Sequence, residues 1–319
     1  MNMSVYHTFI GVDVSKDRLD IFVSSTKKNQ IVENSPAAIQ EFVESCAAAE
    51  KPTLVVMEAT GGYEELLVQA LHHRNMDCVV ANPKRVRDFC RGIGMLEKTD
   101  TIDAQALAKF GELAEVRLAV KPNENERKLK SLVHRRDQVI RQLKQEKNRR
   151  HQAGAAEVLE SIQQAIDFYN FQRKTLDKQI EEVSKQCKAL DGKSKIIQAV
   201  KGVGAVTTAV LLSELPELGT LNRGQVAKLA GVAPIANESG KHKGNRSIYG
   251  GRQKVRNAIY MATIVAIRWN ENIKDFYVRL RSKGKPAKVA IVACMRKMLT
   301  ILNAMIKKAA NDGEIQLAY

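Results

Sequence analysis

The stretch KTDTIDAQALAKF, residues 98–110, holds two aspartates three positions apart, Asp100 and Asp103, where the chain reads as starting a helix. That spacing puts both on one helical face. A single acid there needs no special account, because the first turn of a helix carries partial positive charge. Thr101 could be the N-cap, with Asp103 in the turn behind it. Two further carboxylates stand on strand-like segments: Asp13 in FIGVDVS, and Glu58 at the end of the apolar run TLVVMEA. Each has a plain reading, Asp13 as a partner of Lys16 and Glu58 as a surface acid. Taken together, four carboxylates from three elements could converge, since ligands of open α/β sheets gather at the carboxyl ends of strands. Such a cluster is costly unless cations fill it. Hard Mg2+ suits oxygen donors, and two such ions can clamp the attacking and leaving oxygens of a phosphodiester displacement. The chemistry indicated is phosphoryl transfer on DNA or RNA, with Asp13, Glu58, Asp100 and Asp103 as metal ligands.

A second group lies later in the chain. GVG at 202–204 sits between two apolar helical segments, in the manner of a helix-hairpin-helix whose Gly202 and Gly204 let backbone N–H groups approach a phosphate. A plain glycine-capped turn is the alternative. In NESGKHKGNR, residues 237–246, Ser239 is followed by Lys241, His242, Lys243 and Arg246. A serine becomes a nucleophile only beside a base or a local positive field. On residue chemistry alone, a basic loop gripping the DNA backbone with Lys241, Lys243, Arg246 and the nearby Arg252 fits as well.

The elements that must position these residues follow from periodicity. HTFIGVD (7–13), LDIFVSS (19–25) and QIVEN (30–34) read as an antiparallel meander. TLVVMEA (53–59) and DCVVANP (77–83) read as buried parallel strands, with helices over 37–50, 63–74 and 83–94 around them. Three strands followed by helix–strand–helix–strand–helix is the order of an RNase H-like domain over 1–120. Residues 121–192 predict two long helices, joined near Gly154, as a basic coiled-coil arm suited to self-association. Residues 193–319 predict a mostly α domain, with a polar glycine-rich loop at 234–251.

The 319 residues carry a net charge of +16, unevenly placed. Residues 1–120 hold 13 Lys+Arg against 17 Asp+Glu, while residues 241–319 hold 17 against 4. So lopsided a tail indicates a polyanionic partner. The five scattered cysteines form no CxxC pair, which argues against a disulfide framework and a structural zinc site and fits a reducing cytoplasm. No uninterrupted apolar run reaches the roughly 18 residues of a membrane span, and the N-terminus lacks the marks of a signal peptide.

FIGVDVSKDRLDIFV, LVVMEATGGYEELL, KTDTIDAQALAKF, KGVGAVTTAVLLSEL and GVAPIANESGKHKGNRSIYGGRQKVRNAIYMA together resemble the IS110/IS1111-type insertion-sequence transposases, kin of the Piv DNA invertases. The resemblance implies a RuvC-like N-terminal domain, a coiled-coil arm and a C-terminal transposase domain. It implies Mg2+ on Asp13, Glu58, Asp100 and Asp103, and carries a catalytic serine onto Ser239, with Ser247 as the fallback register. It further implies donor and target DNA as substrates, a covalent serine–DNA link, a dimer-to-tetramer assembly in the bacterial cytoplasm at the nucleoid, and a structured element-encoded guide RNA. A Piv-like invertase without RNA, a RuvC-like junction nuclease using only carboxylates and water, and an inactive nucleic-acid-binding scaffold are the rival readings.

Overall fold

The computed structural model describes residues 5–48, 51–95, 97, 99–236, 238–239, 242–244 and 246–315. The chain divides into two compact units, Met1–Lys121 and Pro122–Tyr319.

The first unit is built on one mixed sheet. Strands β1 (Thr8–Val14), β2 (Arg18–Val23) and β3 (Lys28–Glu33) form an antiparallel meander. Helix α1 (Pro36–Ala47) then leads to β4 (Thr53–Glu58), α2 (Glu65–His73) to β5 (Cys78–Ala81), and α3 (Pro83–Gly92) to α4 (Asp100–Leu113). β4 pairs parallel to β1 and β5 parallel to β4, giving the strand order β3-β2-β1-β4-β5. Alternation along each strand divides the side chains between two faces. On one face Ile10, Val12, Leu19, Ile21, Val55 and Met57 pack under α1 and α2. On the other, Phe9, Leu54, Val56 and Val79 pack against Val86, Cys90, Leu107 and Phe110 of α3 and α4. Each fully buried aliphatic chain here contributes about 1.5–3 kcal/mol.

Helix α4 lies directly on the second face. A Cβ added at Gly11 of β1 would stand 1.9 Å from the Ala104 carbonyl oxygen and 2.5 Å from the Ala108 nitrogen, so helix backbone rests on strand backbone. Gly111, near the other end of α4, sits over Val56 and Phe9. From Gly111 above Phe9 to Ala104 above Gly11, α4 runs antiparallel to β1. Its cap is Thr99, whose Oγ1 accepts from the Ile102 nitrogen at 3.2 Å, rather than the expected Thr101. Both threonines can cap, and the earlier one does.

The second unit is helical: α5 (Glu124–Arg150), α6 (Ala156–Gln186), α7 (Lys188–Gln198), α8 (Ala205–Glu214), α9 (Arg223–Leu229), α10 (Gln253–Trp269), α11 (Glu271–Ser282) and α12 (Ala287–Asn311). An Asn123–Glu126 capping box starts α5. The long helices α5 and α6 pack on each other, and Leu129, Val133, Ile180 and Val183 at their one end enter the same core as Leu211, Val226, Ile259 and Leu299. The boundary at 192/193 read from the sequence falls inside α7, and the chain bends at Cys187. Gly192 is there for close packing, since a Cβ would meet the Ile315 side chain at 2.7 Å.

Helix α12 is long and apolar enough to cross a membrane by length and composition, a feature that counting uninterrupted apolar runs passes over. Met295, Met298, Leu299, Leu302 and Ile306 bury its inner side in the core of this unit, as in the core helix of a water-exposed domain. The described residues within 234–251 include paired segments rather than loop alone. Pro234–Ile235 (β6) pairs with Ser247–Ile248 (β9), and Glu238–Ser239 (β7) pairs with His242–Lys243 (β8), a narrow hairpin in two steps.

Candidate active site residues

The register brings the acids of the first unit together. Asp13 is the penultimate residue of β1 and Glu58 the last of β4, and the parallel pairing of Val12 with Met57 makes them lateral neighbours at the carboxyl edge. Both belong to the face that α4 covers, because Val12 and Met57 point to the other. Since α4 runs antiparallel to β1 with Ala104 over Gly11, its first turn, with Asp100 and Asp103, lies over the next position on that face, Asp13. Cys90 on α3 reports the same convergence: burial first, and then the charges of Asp103 and Glu58, push its thiol up.

Sequence reasoning missed a fifth acid. Asp20 of β2 pairs directly with Asp13 across the strands and is buried at 7% exposure. The alternation Leu19-Asp20-Ile21 was the available signal, since it sets Asp20 opposite two core residues. Arg18 answers part of this charge. Its Nε donates to Asp20 Oδ2 at 3.0 Å and its Nη2 to Asp100 Oδ2 at 2.5 Å. Those bonds, that with Asp100 foremost, raise the guanidinium further.

Carboxylate oxygens are the donors a hard divalent cation takes, and five of them share one corner, so the donor chemistry fits such an ion. Among the described residues, however, no three acidic, histidine or cysteine side chains are already gathered into an ion-holding set. Asp100 is instead turned to Arg18.

In the second unit Ser239 is exposed and sits opposite His242 in the strand register. The hairpin's base is tightly held. A Cβ on Gly251, at φ +72, would meet the Gly231 nitrogen at 2.2 Å, and Arg256 Nη1 donates to the Gly250 carbonyl at 2.6 Å. Ser247, the fallback, lies exposed in β9 near that base. Lys241 lies outside the described residues, Lys243 pairs its backbone with Glu238, and Arg246 is exposed.

Arg252 is engaged within the unit. Its guanidinium makes a two-pronged bond to Glu217 at 2.6 Å on each oxygen and donates to the Glu214 carbonyl at 2.9 Å. Beside it, His134 Nε2 lies 2.6 Å and Lys254 Nζ 2.9 Å from Glu214 Oε1. Burial by itself would raise the Glu214 carboxyl, but these two partners outweigh it and hold it down at about 2. The pairs tie α5, α8 and α10 together. Gly202 and Gly204 bound the turn between α7 and α8. Gly202, at φ +104, packs on Ala266, 2.7 Å from where its Cβ would be, whereas the space around Gly204, the N-cap of α8, is open.

Comparison with known proteins agrees with this organisation. Residues 10–153 match the transposase family of DEDD type from IS110 elements, and residues 194–278 match the Transposase IS116/IS110/IS902 family. The pilin gene-inverting protein of Moraxella bovis is 29% identical over 311 residues, 94% of this chain and 96% of that protein. A 43.6 kDa protein of insertion element IS110 from Streptomyces coelicolor is 26% identical over 153 residues, 47% of this chain and 36% of that one. A 42 kDa protein of insertion element IS900 from Mycobacterium paratuberculosis is 30% identical over 123 residues, 37% and 30% respectively. With a carboxylate-bearing α/β sheet followed by a helical, basic unit, and both family segments in order, this chain belongs to the IS110 family of transposases and is a DNA recombinase.

Proposed function

We propose that the chain moves an insertion sequence by cutting and rejoining DNA through a covalent serine link. What supports this reading is the placement of Asp13 and Glu58 at neighbouring strand ends, with the α4 turn that carries Asp100 and Asp103 beside them, in a chain that also presents Ser239 on a hairpin. The mixed sheet of order β3-β2-β1-β4-β5 is compatible with an RNase H-like domain.

In the reaction, Ser239 Oγ gives up its proton and attacks phosphorus. The Oγ–P bond forms as the P–O3′ bond breaks, and the leaving 3′ oxygen takes a proton. Attack of another 3′-hydroxyl on the phosphoserine reverses these changes, so phosphodiester energy is kept and no ATP is consumed. Asp13, Glu58, Asp100 and Asp103, with Asp20 beside them, would hold Mg2+. When bound, the metal supplies positive charge to the non-bridging and leaving oxygens. Contributed by a partner subunit, the acids would orient that charge and accept the serine proton. Gly204, Arg246, Lys241 and Lys243 hold backbone phosphates, while Arg252 keeps the hairpin's support in place. A structured guide RNA suits the large basic surface, because folded RNA is bound mainly through shape and backbone. Phe168 and Phe171, exposed at 57% and 65% on α6, suit self-association of the arm into a dimer or tetramer. The place of action is the bacterial nucleoid.

The test is a pair of variants. Asp13→Ala should abolish strand cleavage with nucleic-acid binding intact, and a folded variant that loses binding instead would count against the metal role. Ser239→Ala should abolish the trapped protein–DNA adduct, and a persisting adduct moves the nucleophile elsewhere. A second reading, site-specific inversion, is favoured by the 29% identity with pilin gene-inverting proteins over almost the whole chain. Sequencing the RNA that copurifies with the protein from its native locus separates the two: one discrete RNA from the flanking DNA supports guided transposition, and only heterogeneous cellular RNA supports direct reading by an invertase.

A further inference from the structure

Trp269 is the chain's single tryptophan, and it is 70% exposed. An indole is among the largest apolar groups a protein can bury, and here it is left outside a core that takes in Ile259, Ala262 and Ala266 from the same helix. It is not isolated. Met261, Val265 and Trp269 recur every four residues on α10, exposed at 62%, 44% and 70%, so they form one outward apolar stripe. A stripe of this kind marks a contact surface.

Its surroundings define the partner. The turn carrying Gly202 and Gly204 is held against the last turn of α10 by two contacts: Gly202 packs on Ala266, and the Asn270 side-chain amide reaches the Lys201 carbonyl at 3.5 Å. Trp269 lies between those two anchor residues in sequence, so the indole and the turn share one corner. The helices on the indole's side, residues 253–285, carry 8 Lys+Arg against 2 Asp+Glu. Arg268 beside the indole is exposed, as is Lys201 on the turn. A protein interface would also set an apolar centre inside a polar rim, so it is the excess of cations here that favours a polyanion. A nucleic-acid strand wants cations for its phosphates and a flat π surface for a base, and both are present. Every base has a π face, so stacking tolerates any sequence.

We propose that Trp269 is a stacking platform for an unpaired DNA base, presented while the backbone of the same strand is held at the Lys201–Gly204 turn. The inference rests on the reading of that turn as a backbone-phosphate contact, and commits to DNA because DNA is what a recombinase opens. In a paired duplex the base faces are already stacked, so the platform selects strands that have been opened.

The single tryptophan makes the test direct. The full chain is titrated with a labelled thymidylate oligonucleotide, and binding is followed by anisotropy of the label and, separately, by the intrinsic emission of Trp269. Binding should quench that emission, while a duplex of the same length should bind without quenching. Trp269→Ala should weaken strand binding roughly 5- to 150-fold, the range for loss of one stacked base, with an unchanged far-UV spectrum. Trp269→Phe should restore most of the affinity. Binding without quenching, or equal affinity of the alanine variant, would overturn the platform and leave nucleic-acid binding by this unit standing. No anisotropy change at all would remove the phosphate-contact reading as well. Quenching by uridylate alone, with no response to thymidylate, would overturn the assignment to DNA. Protection of Trp269 from iodide in the free protein would show that a second copy of the chain covers it, and the proposal would fall.

Discussion

Replacing Gly11 with alanine tests the packing on which the carboxylate corner depends. The added Cβ would lie 1.9 Å from the Ala104 carbonyl oxygen, against about 3.4 Å for an ordinary contact, so α4 must move off β1 by about 1.5 Å at that point. Overpacking of this kind costs about 1–3 kcal/mol. The obstructing atoms are helix backbone, with no flexible end to give way, which places the cost near 3 kcal/mol. That shifts the folding equilibrium of the first unit by roughly 150-fold. The displaced turn also carries Asp100 and Asp103, and a misplacement of about 1 Å in a reacting group can slow turnover roughly 100-fold. Gly111→Ala is the control on the same helix. Its Cβ meets the Val56 Cγ2 methyl at 2.5 Å, the end of a side chain that can shift, and should cost about 1 kcal/mol. Urea unfolding of the full chain should be followed by far-UV circular dichroism and by Trp269 emission, which reports the second unit alone. The Gly11→Ala loss should appear in the first signal and not the second, and strand cleavage should fall with it. If Gly11→Ala unfolds within about 0.5 kcal/mol of wild type and cleaves normally, α4 does not rest on Gly11, and the argument setting Asp103 over Asp13 fails.

Three further perturbations probe the charge network. Glu214 titrates at about 2 in the folded chain against an ordinary 4.5, so its contribution to stability is complete above about pH 4.5 and is lost as pH falls from there through 2. This shift corresponds to up to about 3 kcal/mol. Unfolding of the second unit, read from Trp269 emission between pH 5 and 2, should lose stability steeply in wild type and much less in Glu214→Gln, and an equal acid limb in both would refute the pairing with His134 and Lys254. Arg18→Gln should release Asp100 and tighten Mn2+ binding in a calorimetric titration without unfolding the sheet; unchanged affinity would show that Arg18 does not compete with the cation. Arg252→Gln should destabilise the second unit by about 2 kcal/mol through loss of its bonds to Glu217, whereas Arg246→Gln should weaken DNA binding with stability unchanged. The reverse pattern in urea midpoints and binding curves would restore Arg252 as a phosphate ligand.

Much of the sheet was legible because strand formation is local. The alternation in TFIGVDV, the continuous apolar run in TLVVME and the punctuation by Pro52 and Pro83 each depend on near neighbours in the chain. They located β1, β4 and β5 within a residue or two, and put Asp13 and Glu58 on strands. The acids at 100 and 103 were legible for the same reason, since helical spacing is local. Two-residue strands such as β7 and β8 are too short for any periodicity, so 234–251 read as loop although Ser239 sits in a hairpin.

Convergence is another matter. That Asp20 lies opposite Asp13 follows from antiparallel register, and register is set by which face of each strand the core accepts. That α4 lies on β1 follows from Ala104 meeting Gly11, residues more than ninety positions apart. Arg252 looked like any other cation of the basic tail until Glu217, on a separate stretch, took both prongs of its guanidinium. Chain-neighbour energies set the period and the caps of each element, and those are written locally. Which side chains end up within a few ångströms of one another depends on burial and pairing between distant segments, and only the folded arrangement of the sheet and helices settles it.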